Sequence, residues 1–330
     1  MTRIWKQLGS LLVGFGLTTA CQPLDEAEDF RNGIPRSETV AMTVPEQGGG
    51  QALTVESHQR ALRGETSDFY KLTRGVSGLV NGGGALVLGL VKAVVAHPPT
   101  EVGAATAVWG PWTEPLAPNA WKVTVTHEGG HRYRYVFEGR DKHSTGAFVT
   151  VLSGTHTAAL DPSGRPMEGF GAGMFTLDWD ARATLPMPDD EVGSATYVYS
   201  RQPGAPTTIE AQFRNVKDKE LNDQRVNVDY LYQRTPGAGG RMEFVHAAPA
   251  GMTSAGTRWA VLSRWAETGA GRSDVRATGG DIPDGSSATA SECWDVHFSS
   301  AFLASNFAAW TNYGDEATDC VFQPAEYPGF

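Results

Sequence analysis

The chain has few cysteines, three in 330 residues. That excludes a small disulfide-stapled scaffold, so a core must come from apolar burial. It is short of positive charge, with 27 Lys and Arg against 37 Asp and Glu and a net charge of −10. An acidic surface of this kind repels phosphate, so nucleic acid is not an expected partner. No G-x-S-x-G elbow is present, because Gly75-Val76-Ser77 continues as Gly78-Leu79; nucleophilic hydrolase chemistry has no visible support. No repeat is evident beyond the alternation described below, and no cofactor motif survives inspection of its context.

What is present suits a folded protein: 40% hydrophobic and 10% aromatic residues can build a packed core in one large or two small domains. The N-terminus carries Arg3 and Lys6, then an uncharged apolar stretch over residues 8–17, then Thr18-Thr19-Ala20-Cys21. A basic start, an apolar run of about ten residues and a small residue at the cut describe a secretory signal. The run is too short for a bilayer, which takes about 20 residues.

The cysteine directly after a small residue resembles the lipobox of bacterial lipoproteins, with Thr18 where the usual leucine stands and Leu17 one place upstream. The resemblance implies cleavage after residue 20, diacylation of the Cys21 thiol and acylation of the new amine. Gln22 in place of aspartate implies the outer membrane in Gram-negative cells. Loss of residues 1–20 removes Arg3 and Lys6, leaving 25 cations against 37 acids, a net of −12. The membrane contact is then supplied by acyl chains, at about 0.8 kcal/mol per buried CH2. Residues 21–50 are polar and acidic, contain Gly48-Gly49-Gly50, and are expected to form a flexible tether.

Residues 51–98 have a helical pattern. Val76, Leu79, Val80, Leu86, Val87, Leu90, Val91 and Val94 recur at three- and four-residue steps, and His97-Pro98-Pro99 ends the run. Gly82-Gly83-Gly84 predicts a break or kink. Lys92 and the short length argue against a membrane span. The expected role is packing on a sheet, with a lid or membrane-lying element as the alternative.

Residues 99–330 read as an antiparallel β domain. Trp121, Val123 and Val125 alternate with polar neighbours; so do Tyr133, Tyr135 and Phe137, and the pattern continues to Trp265. Turn signals such as Glu128-Gly129-Gly130 and Gly237-Ala238-Gly239-Gly240 separate the runs. The fold class is therefore mainly β with some α. A meander of about ten to twelve strands is expected, as a curved or barrel-like sheet with N-terminal helices packed on it. At this level of architecture the chain looks like the half-barrel carriers of the Lol type. With Cys21 assigned to lipid, Cys293 and Cys320 remain as a pair for a disulfide stapling the aromatic C-terminal tail. Two separate buried thiols or a metal site are the alternatives, and no histidine sits at ligand spacing beside either one.

One catalytic pattern is matched: His127-Glu128-Gly129-Gly130-His131 fits H-E-x-x-H. That zinc-hydrolase motif needs both histidines on one helix face, with the glutamate activating a metal-bound water. Here strand patterns flank it and Gly-Gly favours a hairpin turn, so His127 and His131 are only remote metal candidates. The glycine-rich run at residues 169–173 leads into another strand pattern, not a helix, and so departs from a dinucleotide loop. Asp178 and Asp180 are expected to share one wet strand face, and residues 189–191 form an acidic loop. Residues 281–292 miss calcium-loop spacing, with Pro283 in the third position.

Three functions follow in order of preference. The first is a non-enzymatic structural or interaction lipoprotein with a filled core. The second is a carrier of an apolar ligand such as lipid, which requires a cavity of several hundred Å3. The third is a zinc hydrolase on His127, Glu128 and His131. Beyond the lipid on Cys21 and a possible apolar ligand, no partner can be read from the sequence.

Overall fold

The computed structural model describes residues 26–46, 62–188, 190–218, 224–247, 256–307 and 310–329. Cys21 and the leader lie outside them. Among the described residues fourteen strands form one antiparallel sheet in strict sequence order. They are β1 (Glu101–Val102), β2 (Thr106–Trp112), β3 (Asn119–Gly129), β4 (Arg132–Asp141), β5 (Val149–Leu160), β6 (Pro166–Asp178) and β7 (Ser194–Arg201). The second half is β8 (Thr207–Asp218), β9 (Gln224–Thr235), β10 (Gly239–Ala247), β11 (Arg258–Ala266), β12 (Gly271–Thr278), β13 (Ala288–Trp294) and β14 (Ser300–Ser305). The meander is two to four strands longer than the alternation suggested, and β1 does not pair with β14, so the sheet stays open.

Helix α1 (Glu26–Arg31), a 3-10 turn at Ser37–Val40 and helix α2 (Asp68–Val95) lie against one face. Ser67 starts α2 by accepting a hydrogen bond from the Tyr70 amide, and Lys92 sits in its last turn. Thr73 of α2 reaches Ser263 on β11, while the C-terminal end meets β2 and β3. From Thr73 to Val95 the helix rises about 33 Å, whereas nine strand spacings across a flat sheet measure about 43 Å. The sheet must therefore curve toward α2, and the face it presents is concave.

Three expectations need correction. Residues 26–46 are not a tether: Ala27, Phe30, Ile34, Val40 and Met42 are buried in the main core. Their irregular spacing among acidic residues hides an apolar strip that crosses the strands beside α2. The glycines at 82–84 do not break α2, which runs on to Val95. Each glycine costs a helix about 1 kcal/mol, but Val76, Val80, Leu88, Val91, Val94 and Val95 pack on the sheet and hold the backbone helical. The Tyr197 hydroxyl also donates to the Val80 carbonyl, 2.9 Å away, just before the glycines. Finally, the helix is not short. It has 28 residues, and its most apolar 18-residue stretch has a mean hydropathy of 1.7, long and apolar enough to cross a membrane judged by length and composition alone.

The concave face carries the aromatic alternation. Tyr133, Tyr135, Phe137, Phe175, Tyr197, Tyr199, Tyr232, Phe244, Trp259 and Trp265 are all buried. Rings lie over glycines on neighbouring strands. A Cβ on Gly271 would sit 2.3 Å from the Trp294 ring, and one on Gly173 would sit 2.8 Å from the Tyr199 hydroxyl. The run at 169–173 is thus part of β6, where Gly171 and Gly173 make room for the His156 ring and the Tyr199 hydroxyl.

Candidate functional site

The concave trough is the natural place for a ligand, and the protein's own chain occupies it. Alpha-helix α2 and residues 26–46 cross it together: Arg201 donates to the Ala41 carbonyl, the Tyr232 hydroxyl meets Thr43, and Asn81 exchanges two hydrogen bonds with the Met42 backbone. A pocket lies between the 3-10 turn, α2 and Tyr197. It measures about 150 Å3 and is walled by Val40, Ala41, Val80, Gly84 and Ala85, with Asn81 at its side. Ligand pockets for drug-sized molecules run about 300–1,000 Å3.

Polar groups under the trough hold the N-terminal end of α2. Glu292 on β13 is fully buried; one carboxylate oxygen accepts from the Phe69 amide at 2.9 Å, the other from the Ser300 hydroxyl. Burial pushes its pKa up, while Ser300, the Phe69 amide and Ser67 pull it down. A carboxylate here satisfies an orphan helix N–H and faces the positive end of the helix dipole. Thr73, Ser263 and Ser273 form a buried hydroxyl cluster one turn further along. Toward β5 and β7, His156 Nδ1 lies 2.9 Å from the Tyr199 hydroxyl, and burial lowers the histidine pKa to about 4. Burial likewise pushes the Tyr199 and Tyr197 hydroxyls well above the usual tyrosine range. These groups are engaged with one another or with backbone, an arrangement that fixes structure.

The convex face of β11–β14 is covered by the C-terminal tail, including α4 (Glu316–Asp319). Asp274 is fully buried and accepts from Arg264 at 2.7 Å, Arg272 at 2.6 Å and Ser291 at 2.6 Å. Arg264 also reaches Glu326, and Arg272 reaches Glu316, so two tail residues close the network. Burial opposes the charge on Arg272, but hydrogen bonds to Asp274 and Glu316 outweigh it and raise its pKa. Cys293 on β13 and Cys320 after α4 form a disulfide pair with Cα atoms 5.4 Å apart, so the tail is pinned covalently beside the ion network. Sequence reading found the cysteines but not Arg264, Arg272, Asp274 or Glu292. Charged residues on strands look like a wet face; the tail buries Arg264, Arg272 and Asp274, and the N-terminal end of α2 covers Glu292.

Residues 127–131 form the β3–β4 hairpin, with His127 opposite Tyr133, Gly129 opposite Arg132 and His131 at φ +56°. They are not helical, so the geometry on which the zinc motif depends is missing. Glu128 is held by Arg134 at 2.8 Å and Arg132 at 3.0 Å; the Arg134 hydrogen bond leads the causes that lower its pKa. His127 stacks on Tyr133 with ring centroids 4.9 Å apart. Among the described residues no three His, Cys, Asp or Glu side chains gather in a metal-holding group. Asp178 and Asp180 do not share a strand face. β6 ends at Asp178, whose side chain caps α3 (Trp179–Ala183) by accepting from Ala181, while Asp180 accepts from the Gly193 amide.

Comparison with known proteins returns no matching family model, curated protein or solved structure.

Proposed function

We propose that this is an envelope lipoprotein of the outer membrane, held by acyl chains on Cys21, that acts as a non-enzymatic structural or interaction module. The observation carrying the second half is the filled trough. The concave aromatic face is packed by α2 and residues 26–46, and the pocket left beside Tyr197 is about 150 Å3, below the range of a small-molecule site. The anchor half rests on Arg3, Lys6, the apolar run and Ala20-Cys21. The apolar wall of that pocket favours a carrier of lipid as the second reading, with α2 displaced by its cargo. Native mass spectrometry of protein purified from its own membranes decides both points. A mature chain starting at Cys21 with the mass of three acyl groups and no further bound lipid fits the proposal. An unmodified Cys21 ends the anchor reading, and a stoichiometric co-purified lipid makes the protein a carrier.

A further inference from the structure

A soluble helix buries its apolar stripe and shows charge to water. Helix α2 does not follow this rule. No charged residue occurs from position 75 to position 91 on any side of the helix, yet only 38% of its most apolar stretch is buried. The side away from the sheet exposes Gly78, Leu79, Gly82, Ala85, Gly89, Leu90 and Ala93, with Leu79 at 74% and Leu90 at 43% exposure. The rim of this face is charged at both ends, with Lys71 and Arg74 before it and exposed Lys92 within its last turn.

The position of the anchor says what covers it. Helix α1 is docked at the C-terminal end of α2, where Arg31 donates to the Val95 carbonyl at 2.9 Å. Four residues lie between Cys21 and Glu26, where α1 begins, so five residue steps join them. A chain of that length spans at most about 18 Å. A lipid on Cys21 therefore brings its leaflet to the end of α2 at which Leu90, Lys92 and Ala93 are exposed. So short a link also gives a millimolar effective concentration, at which a weak apolar contact is populated.

We propose that the outward face of α2 rests on the membrane leaflet that holds the Cys21 lipid, with the convex face of the sheet turned to the aqueous side. Apolar side chains sink to the acyl boundary while Lys92 stays among headgroup phosphates. The inference rests on the lipoprotein reading, and the test below supplies its own anchor so that the two can fail separately.

The chain from residue 21 onward, with Cys21→Ser and a hexahistidine placed before it, is bound to phosphatidylcholine vesicles containing a nickel-chelating lipid. Ala85→Cys provides a free thiol on the α2 face, Gly82→Cys a second one where a side chain meets nothing within 4 Å, and Val198→Cys a control on the convex face, where Val198 is exposed. Each is labelled with a nitrobenzoxadiazole fluorophore while Cys293 and Cys320 stay oxidised. Doxyl-labelled phosphatidylcholine in the vesicles should quench the labels at 85 and 82 at least twofold more than the label at 198. The excess should vanish in Leu79→Glu/Leu90→Glu. Equal quenching on both faces overturns the proposal. A blue shift at 85 that grows with protein concentration without vesicles also overturns it, assigning the face to a second copy. Intact mass of the mature chain tests lipidation of Cys21 independently.

Discussion

Lowering the pH from 7 to 4 should cost this fold about 3 kcal/mol through His156 alone. The ring is buried on the concave face with Nδ1 against the Tyr199 hydroxyl, and its pKa falls from 6.5 to about 4. Below pH 6.5 the unfolded chain takes up a proton that the folded chain refuses. Stability is therefore complete above the unfolded pKa and drains away as the pH falls toward the folded one. At about 1.36 kcal/mol per unit, the interval from pH 6.5 to 4 gives the loss stated. Glu292 works in the other direction: burial raises its folded pKa, so its contribution is present at low pH and lost as the pH rises through that value. A single curve mixes these effects, and a pair of curves separates them. Urea unfolding of the wild type and of His156→Gln, followed by tryptophan fluorescence at pH 7, 6, 5 and 4, should start with the variant less stable. The gap should then close or invert, the wild type losing about 3 kcal/mol more than the variant by pH 4. Parallel curves across that interval would refute the assignment of a buried neutral imidazole.

Three further outcomes test the packing. Cys293→Ala/Cys320→Ala opens a 27-residue separation and should lower stability by about 3.5 kcal/mol on the chain-entropy model, read as a reduced urea midpoint with both proteins oxidised. Asp274→Ala leaves Arg264 and Arg272 facing each other without their shared carboxylate and should cost about 3–5 kcal/mol; a loss under 1 kcal/mol in thermal unfolding would show the network to be solvated. Gly271→Ala places a methyl 2.3 Å from the Trp294 ring and should cost about 1–3 kcal/mol, whereas Gly82→Ala, in open space on α2, should gain up to about 1 kcal/mol, so calorimetry should move the two midpoints in opposite directions.

The strands were legible because many inward positions carry aromatic or β-branched residues and many outward ones are polar. Tyr133, Tyr135 and Phe137 are buried while Arg132 and Arg134 are exposed, and that contrast survives without any tertiary information. What the pattern could not show is burial on the second face. Arg264, Arg272 and Asp274 occupy outward positions of β11 and β12 and are buried only because the tail folds back from Cys320. Helix limits were obscured for a related reason. Three consecutive glycines have poor helix propensity, and only contact with the sheet overrides it. Trp179 read as a continuing strand, yet Asp178 caps a helical turn there, a local side-chain bond that periodicity does not register.

A sheet that never closes has two problems, its free edges and its unpaired concave face, and both ends of the chain are used to solve them. At one edge β1 is only two residues, Glu101–Val102, too short to template another chain. At the other, β14 is bridged by Tyr313 to Leu303 and flanked by Thr66 against Ser299. The concave face takes residues 26–46 and α2 from the N-terminal side, and the convex face of β11–β14 takes the C-terminal tail. Neither terminal segment is thus an accessory to a self-sufficient barrel. Removing residues 26–46 would expose Tyr232, Arg201 and the flank of α2 together, and removing the tail would strand Arg264, Arg272 and Asp274 in a half-built ion cluster. The same division explains why α2 can carry an apolar outer side: it is fixed at both ends, by Glu292 of β13 at one and by Arg31 of α1 beside Val95 at the other, so the outer residues are free of any duty to the core and their composition answers to whatever lies outside it.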